Sequence, residues 1–366
     1  MRLRSLTQLA FRNLVTRRVS FPDGVVALVG QNASGKSNLL AAAYLGCNGT
    51  LASGTLADMV AFGNEEGYVA VEVEHAAGVS QVEVGFAAGR KVVKLDSQVA
   101  RAADVSRHVA AVLITPEDSE LVHGSPSSRR AFLDALISKV SARYAALVRE
   151  YGRVLEQRNA LLRLSPRDAT LPDWTARLAA VGTEVDALRE RLVARLCPLA
   201  ADVYREVSGD EAPFAVRLAR NWEGGDLAAA LAATRAAELA RGATVVGPHR
   251  DDLALTLGGM ELRSYGSRGE ARTAALALRV AEYRLLTERH GEPPVLLVDD
   301  FSAELDADRR AYLLSLTAAT PQAIVTGTEP PPHHDALFRV SGGELALIDA
   351  VGASSAVAPS VREVPS

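Results

Sequence analysis

The chain has 366 residues, 48% hydrophobic and 23% charged, an ordinary globular balance with enough length for more than one packed unit. Its 40 Lys and Arg against 44 Asp and Glu leave a formal charge of −4. This excludes a globally basic protein, so any contact with nucleic acid must come from a local patch. The two cysteines, Cys47 and Cys197, are too few and too far apart for a disulfide framework or a Cys-type metal site, and they fit a reducing, cytoplasmic setting.

The first thirty residues interleave Arg with apolar residues, without the uninterrupted core of an export signal. No run of eighteen apolar residues occurs, so no contact with a membrane is expected. Alternation near residues 3–9 suggests a strand, and the almost continuous apolar run at 25–29 suggests a central strand covered on both faces. That run ends at Gly30 and is followed by helix-forming LLAAAYLG. Alternation over 68–84 and the short KVVKLD at 91–96 suggest an antiparallel meander, and 110–118 adds one more apolar strand.

After Pro126 the character changes. Leu133, Ile137, Val140, Tyr144, Leu147, Tyr151, Val154 and Leu161 follow a heptad seam broken only by Arg158. Pro166 and Pro172 interrupt it, and a second seam runs from Trp174 through Leu178, Val181, Val185 and Leu188 to Leu192. Two seams joined by a proline-marked turn predict an antiparallel helical hairpin, an arm about 50 Å long at 1.5 Å per residue. Between Ser127 and Arg205, fourteen Arg or Lys stand against nine Asp or Glu, so the arm is basic within an acidic chain. A solvated helix face accounts for any single arginine, but less readily for the asymmetry.

Beyond the arm, strands are expected at 213–218, 243–246 and 253–257, with an Ala-rich helix at 226–241. A long helix follows at 268–290, then a buried strand at 294–300, a helix at 306–319 and a strand at 322–326. Residues 1–126 and 241–350 read as two halves of one head, 127–240 as an inserted helical lobe, and 351–366 as a disordered tail.

The segment GQNASGKS at 30–37 satisfies the phosphate-binding pattern G-x-x-x-x-G-K-[ST], with a buried strand before it and a helix after. Backbone amides of Gly30, Gln31, Asn32, Ala33, Ser34 and Gly35 would close around phosphate oxygens, with Asn38 just beyond. Lys36 would reach the β and γ phosphates of ATP, and the Ser37 hydroxyl would sit on Mg²⁺. A P-loop needs a carboxylate at the end of a neighbouring strand. In VLLVDD, Asp299 would hold Mg²⁺ and Asp300 would orient or deprotonate the attacking water; a strand merely ending in a DD turn is the bland alternative. The long interval between Lys36 and Asp299 requires an insertion, which the arm supplies.

At the start of the long helix, YGSRGEAR (265–272) places Ser267 and Gly269 where an anion could be held. Alone this is weak, since Ser and Gly are ordinary helix starters. Its place shortly before Asp299 resembles the signature of ABC-type ATPases, whose helix caps the γ-phosphate of ATP bound by the other subunit. Such a site needs two copies related by a two-fold axis. SAELD at 302–306, ending in Asp306, then falls where the ABC-type D-loop lies.

Five segments together resemble the RecF family of bacterial recombination-mediator ATPases: FRNL at 11–14, the P-loop, PED with RRAFLD and QRNALLR within 116–163, GPHRDDL at 247–253, and DDFSAELD at 299–306. The resemblance implies an α/β fold, an ABC-type P-loop ATPase head of mixed sheet and helices with an antiparallel β subdomain and an inserted α-helical hairpin arm. It further implies ATP and Mg²⁺ as cofactors, an ATP-dependent homodimer on duplex or gapped DNA, and slow, DNA-stimulated hydrolysis. Action with RecO and RecR to load RecA at single-strand gaps follows from the same resemblance. Carried onto this chain, Lys36, Ser37 and Asp299 keep the P-loop and Walker B roles, Ser267 and Gly269 act in trans, and Arg12 and Asn13 line the nucleotide. Arg129, Arg130, Arg143 and Arg149 are candidate DNA contacts, electrostatic and sequence-independent. No aromatic platform accompanies them, which favours duplex over single-strand binding.

Three departures stand out. Ala33 occupies a usual Gly position, so the loop must keep φ negative there or accept strain. Glu270 replaces the usual signature Gln and brings a carboxylate towards phosphate. Thr326 and Thr328 lie where many ABC-type ATPases carry a switch histidine, and together with Asp300 in place of Glu they predict slow turnover. A transporter ATPase subunit would have a much shorter interval between P-loop and signature. A nuclease-linked ATPase would need an acidic cluster after residue 310, and a scaffold with a degenerate ATPase is at odds with intact Lys36, Ser37 and Asp299.

Overall fold

The apolar run at 25–29 forms the strand Gly24–Val29, whose four central residues are buried, in the middle of a six-stranded sheet. The computed structural model describes residues 1–223, 225–301 and 306–350; the expected tail and all of the D-loop segment except Asp306 lie outside them. Across the sheet the order is Glu344–Ala350, Ala336–Ser341, Gly24–Val29, Gln322–Gly327, Val295–Val298 and Ala111–Ile114. All neighbours are parallel except the edge pair Ala336–Ser341 and Glu344–Ala350. Continuous burial along Val295–Val298 and Gln322–Gly327 is what covering both faces of a parallel sheet requires.

The helix Lys36–Asn48 lies between this sheet and an antiparallel one, which explains why apolar and small residues surround it on nearly every side. The second sheet orders Arg18–Ser20, Arg2–Leu9, Glu66–His75, Gly78–Ala87, Arg90–Leu95 and Gln98–Ala100. Its alternation buries Val69, Val71 and Val73 beside Val82, Val84 and Phe86.

The seam after Pro126 belongs to two helices. Pro126–Val140 ends at Ser141, whose hydroxyl accepts the Tyr144 amide and starts Ala142–Leu164. Arg158 does not break the seam: it fills it, fully buried, with its guanidinium on both carboxylate oxygens of Glu238 at 3.1 and 2.6 Å and on Thr244 at 2.7 Å.

Pro172 sits in the first turn of Leu171–Ser208, where its missing N–H costs nothing. That helix has 38 residues, about 57 Å, against 23 residues, about 35 Å, in its hairpin partner. Its remainder does not project as a free arm. It packs on the long helix Arg268–His290 and on the strand Phe214–Ala219.

Three further expectations change. The Ala-rich helix is two short ones, Leu227–Ala233 and Arg235–Arg241, divided at Thr234. Residues 243–246 form no strand; there Thr244 is anchored instead by the Asn159 side chain, which accepts from its amide and its hydroxyl. The strand Asp252–Leu257 pairs antiparallel with Phe214–Ala219, so the lobe's small sheet crosses the boundary drawn at residue 240.

Candidate functional site

The P-loop turns between the strand Gly24–Val29 and its helix. Gly30 must lack a side chain, since a Cβ there would stand 2.2 Å from the Val340 carbonyl oxygen. Gly35 begins the helix at φ 114°, open only to glycine. Ala33 takes φ 62° and so accepts the left-handed strain that the sequence left as one of two outcomes. Arg12 (φ 45°) and Asp300 (φ 47°) share this conformation, and Ala33 and Asp300 line one cleft.

Lys36 is almost wholly buried, and its ammonium donates to the carbonyls of Gly30 at 2.8 Å and Gln31 at 2.9 Å. Burial pulls its pKa down, opposed by the nearby carboxylates of Asp300 and Asp299. A cleft beside the loop is lined by 32–38 together with Asp299 and Asp300, and a second by Gly30–Ser34 with Thr328 and Arg339. Arg12 donates to the Asn38 side-chain oxygen at 2.6 Å, and the Asn38 amide donates to Asn13 Oδ1 at 2.7 Å. The three candidates from FRNL and the helix start therefore form one chain beside the P-loop. Gly343, with no sequence signal beyond a hairpin turn, supports the loop from outside through its amide on the Ser34 carbonyl at 2.8 Å.

Ser37 and Asp299 follow strands that flank Gln322–Gly327, and their side chains meet with Ser37 Oγ donating to Asp299 Oδ1 at 3.0 Å. The intervening strand carries Thr326, whose hydroxyl donates to the same oxygen and accepts the Asp300 amide at 2.8 Å. Burial raises the Asp299 pKa, with the hydroxyls of Thr326 and Ser37 pulling it back and the charges of Glu117 and Asp300 adding to the rise. A hydroxyl and a carboxylate oxygen converging here are hard donors suited to Mg²⁺.

The signature residues form a second cluster. Ser267 caps Arg268–His290 and makes a reciprocal box with Glu270: the Glu270 amide donates to Ser267 Oγ at 3.2 Å and the Ser267 amide to Glu270 Oε2 at 2.7 Å. The carboxylate that the sequence places near phosphate is thus engaged by its own turn. Arg309, unsuspected from sequence, joins Gly269 to Asp306. A cavity lined by Thr115, Arg272, Leu276, Asp299, Asp300 and Phe301 lies between this helix and the Walker B strand.

The other family segments hold the lobe on the head. In PED, Asp118 accepts two bonds from Arg279 of the signature helix, at 2.9 and 2.7 Å. Arg279 also pairs with Glu282, which takes buried Lys139 from the helix Pro126–Val140.

In GPHRDDL, the Pro248 carbonyl accepts Arg189 at 2.6 Å, His249 Nδ1 meets Tyr151 Oη at 2.8 Å, and Asp252 takes Arg129. Asp251 is fully buried 3.5 Å from the Arg189 guanidinium, and burial pushes its carboxyl up to about 7. Burial likewise brings His249 down to about 4. The motif is a clasp between three arm helices and the lobe's sheet.

Arg129 is a correction. It is 3% exposed, its guanidinium bonds Asp252 at 2.6 and 2.8 Å and three backbone carbonyls besides, and it has no surface to offer DNA. Arg130 is half-buried and donates to the Asp251 carbonyl. Arg143 and Arg149 are exposed on Ala142–Leu164; Arg143 pairs with Glu184, and Arg149 donates to the Ala145 carbonyl.

Among the described residues, no helix is long and apolar enough to cross a membrane. The family model described as the RecF/RecN/SMC N-terminal domain matches residues 2–342. The protein named DNA replication and repair protein RecF in Deinococcus deserti is 48% identical over 343 residues, covering 94% of both chains. Its namesake in Deinococcus radiodurans is 46% identical over 93% of this chain and 94% of its own. A structure of the recombination mediator protein RecF with ATP, from the RecFOR pathway, superposes with a TM-score of 0.88 at 28% identity, covering 95% of this chain and 97% of that one. The mixed sheet, its antiparallel companion and the helical lobe are those of an ABC-type ATPase head, and the chain belongs to the RecF family.

Proposed function

We propose that the chain is an ATP-gated recombination mediator that closes as a homodimer on duplex DNA near single-strand gaps. One observation carries this reading: Ser37, Asp299, Thr326 and Asp300 are joined into a single hydrogen-bonded unit at the mouth of an intact P-loop. Lys36, whose ammonium is held by the carbonyls of Gly30 and Gln31, would exchange them for phosphate oxygens when ATP is bound. Ser37 and Asp299 would hold Mg²⁺, which when bound neutralises charge on the phosphates. Asp300, fixed through its amide by Thr326, orients the attacking water. Its short side chain predicts slow turnover, since a water placed for Glu would stand too far away, and stimulation of that turnover by DNA is proposed from the family resemblance.

The signature turn at Ser267 and Gly269 supplies the far side of the site only from a second copy, which makes ATP the bond between protomers. The names of relatives, a DNA replication and repair protein and a recombination mediator of the RecFOR pathway, support a place in recombinational repair; RecO- and RecR-type partners, a RecA-type recombinase and a cytoplasmic setting are proposed from the family resemblance. Sedimentation of the full chain on a gapped duplex, with and without a non-hydrolysable ATP analogue, tests the reading. Dimers on DNA only with nucleotide are expected; identical behaviour with and without it would refute the proposal.

A further inference from the structure

Two helix starts converge on one guanidinium. Arg309 is 7% exposed. Its Nε donates to Thr273 Oγ1 at 2.9 Å and its Nη2 to the Gly269 carbonyl at 3.1 Å, while Nη2 also pairs with Asp306 Oδ2 at 3.0 Å. Asp306 caps its own helix, Ala307–Ala319, by accepting the Arg309 amide at 3.0 Å. Thr273 Oγ1 donates in turn to the Gly269 carbonyl at 3.2 Å, which completes a closed set of bonds. A Cβ on Gly269 would stand 3.1 Å from Arg309 Nη2, so the guanidinium lies directly against the signature turn.

A guanidinium taken out of water is costly unless its donors are met, and here acceptors on two separate elements meet them. A planar fork that satisfies all of them at once fixes distance and direction together, which a flexible ammonium does not. Among the described residues, none of these groups bonds Lys36, Arg12 or Asn38, which hold one another and the P-loop.

We propose that Arg309 is a positioning residue that locks the Ser267–Gly269 turn to the helix start at Asp306, so that both are presented to the second copy as one rigid surface. The assignment rests on the dimer reading above. Its physical basis is preorganisation: misplacing a contacting group by about 1 Å costs on the order of a hundredfold in rate.

The test uses the full chain with Arg309→Lys, Arg309→Ala and Thr273→Val, each checked for its melting temperature. Binding of a fluorescent ATP analogue is measured at protein concentrations where the chain is monomeric. Dimerisation is followed by sedimentation with a non-hydrolysable analogue, and turnover is resolved into kcat and KM. Arg309→Lys is expected to bind nucleotide within about twofold of the parent, to need about tenfold more protein to dimerise, and to lose about tenfold in kcat at unchanged KM. Thr273→Val, which removes one acceptor from a near-isosteric side chain, should fall between Arg309→Lys and the parent.

Loss of nucleotide binding in step with dimerisation would make Arg309 a residue of general stability and overturn the assignment. A parent chain that dimerises beside an equally dimeric and active Arg309→Ala overturns the positioning role alone. A parent chain that stays monomeric with the analogue overturns the dimer reading and the positioning role together.

Discussion

Thr326 Oγ1 stands 2.5 Å from Asp299 Oδ1, at a position where many related ATPases are expected to carry a switch histidine. A hydroxyl here does two jobs at once, donating to the Walker B carboxylate and accepting the amide of Asp300. Thr326→Val keeps the shape of the buried side chain and removes both bonds, freeing one carboxylate to turn and loosening the strained backbone of the other. Steady-state kinetics should show kcat lowered by about tenfold or more with nucleotide affinity nearly unchanged. Thr326→Ser, which restores the hydroxyl, should recover most of the rate. A Val variant with parental kcat would remove Thr326 from the mechanism.

Ala33 is held at φ 62°, a conformation that costs an L-residue roughly 1 kcal/mol or more and glycine almost nothing. Ala33→Gly is therefore expected to stabilise the nucleotide-free chain by about 0.5 to 1 kcal/mol, the gain being reduced by glycine's greater freedom in the unfolded chain. Thermal unfolding without ligand measures this. A lower melting temperature would mean that the methyl group makes contacts outweighing the backbone strain.

The P-loop was legible because its signal is local: the strand, the glycines, Lys36 and Ser37 lie within a few residues, and backbone geometry dictates each type. The meander was legible for the same reason, through alternation. Failures came where the deciding partner is distant. Arg158 looks like a break in an apolar seam until Glu238 is brought to it by the fold, and Arg129 looks like a surface cation until Asp252 covers it. The seam runs on from Val140 to Tyr144 as if through one helix, while the Ser141 hydroxyl between them caps a second one, a break that periodicity alone does not reveal. Arg309 carried no motif at all; only the folded chain places Thr273 and Gly269 within its reach.

The clasp contains two groups whose titrations oppose one another. His249, brought down from 6.5 to about 4, binds fewer protons folded than unfolded, so its contribution is lost as pH falls through that window. Asp251, raised from 3.8 to about 7, binds more protons folded, so its contribution is lost as pH rises through its own window. Between about 4 and 6.5 the two slopes largely offset.

Asp251→Asn should uncover the histidine slope, with the melting temperature dropping on acidification, and should exceed the parent at pH 8. His249→Gln should uncover the reverse slope. The charges of Arg189, Arg220, Asp186, Arg130, Arg250 and Arg158 face the pair. Parallel pH profiles in both variants would contradict the opposed titrations.

The remaining prediction separates arginines that hold the lobe from arginines free to meet DNA. Arg129 is enclosed by Asp252 and backbone carbonyls, so Arg129→Ala leaves those carbonyls and the half-buried Asp252 carboxylate without their donor and should cost about 2 kcal/mol of stability. Its folded fraction should still bind DNA with the parental dependence on salt. Arg143, Arg149 and Arg153 are exposed along the helix Ala142–Leu164, and reversing all three removes cations without touching the core. If this face meets the duplex, affinity falls and the slope of log K against log salt decreases by about 0.9 for each phosphate that is no longer neutralised. Fluorescence anisotropy across a salt series measures both quantities. A triple reversal with parental affinity and slope would place the duplex against the ATPase head instead, and the basic surplus of 127–205 would then be explained by the partners that Arg129, Lys139 and Arg158 find outside that stretch, in Asp252, Glu282 and Glu238.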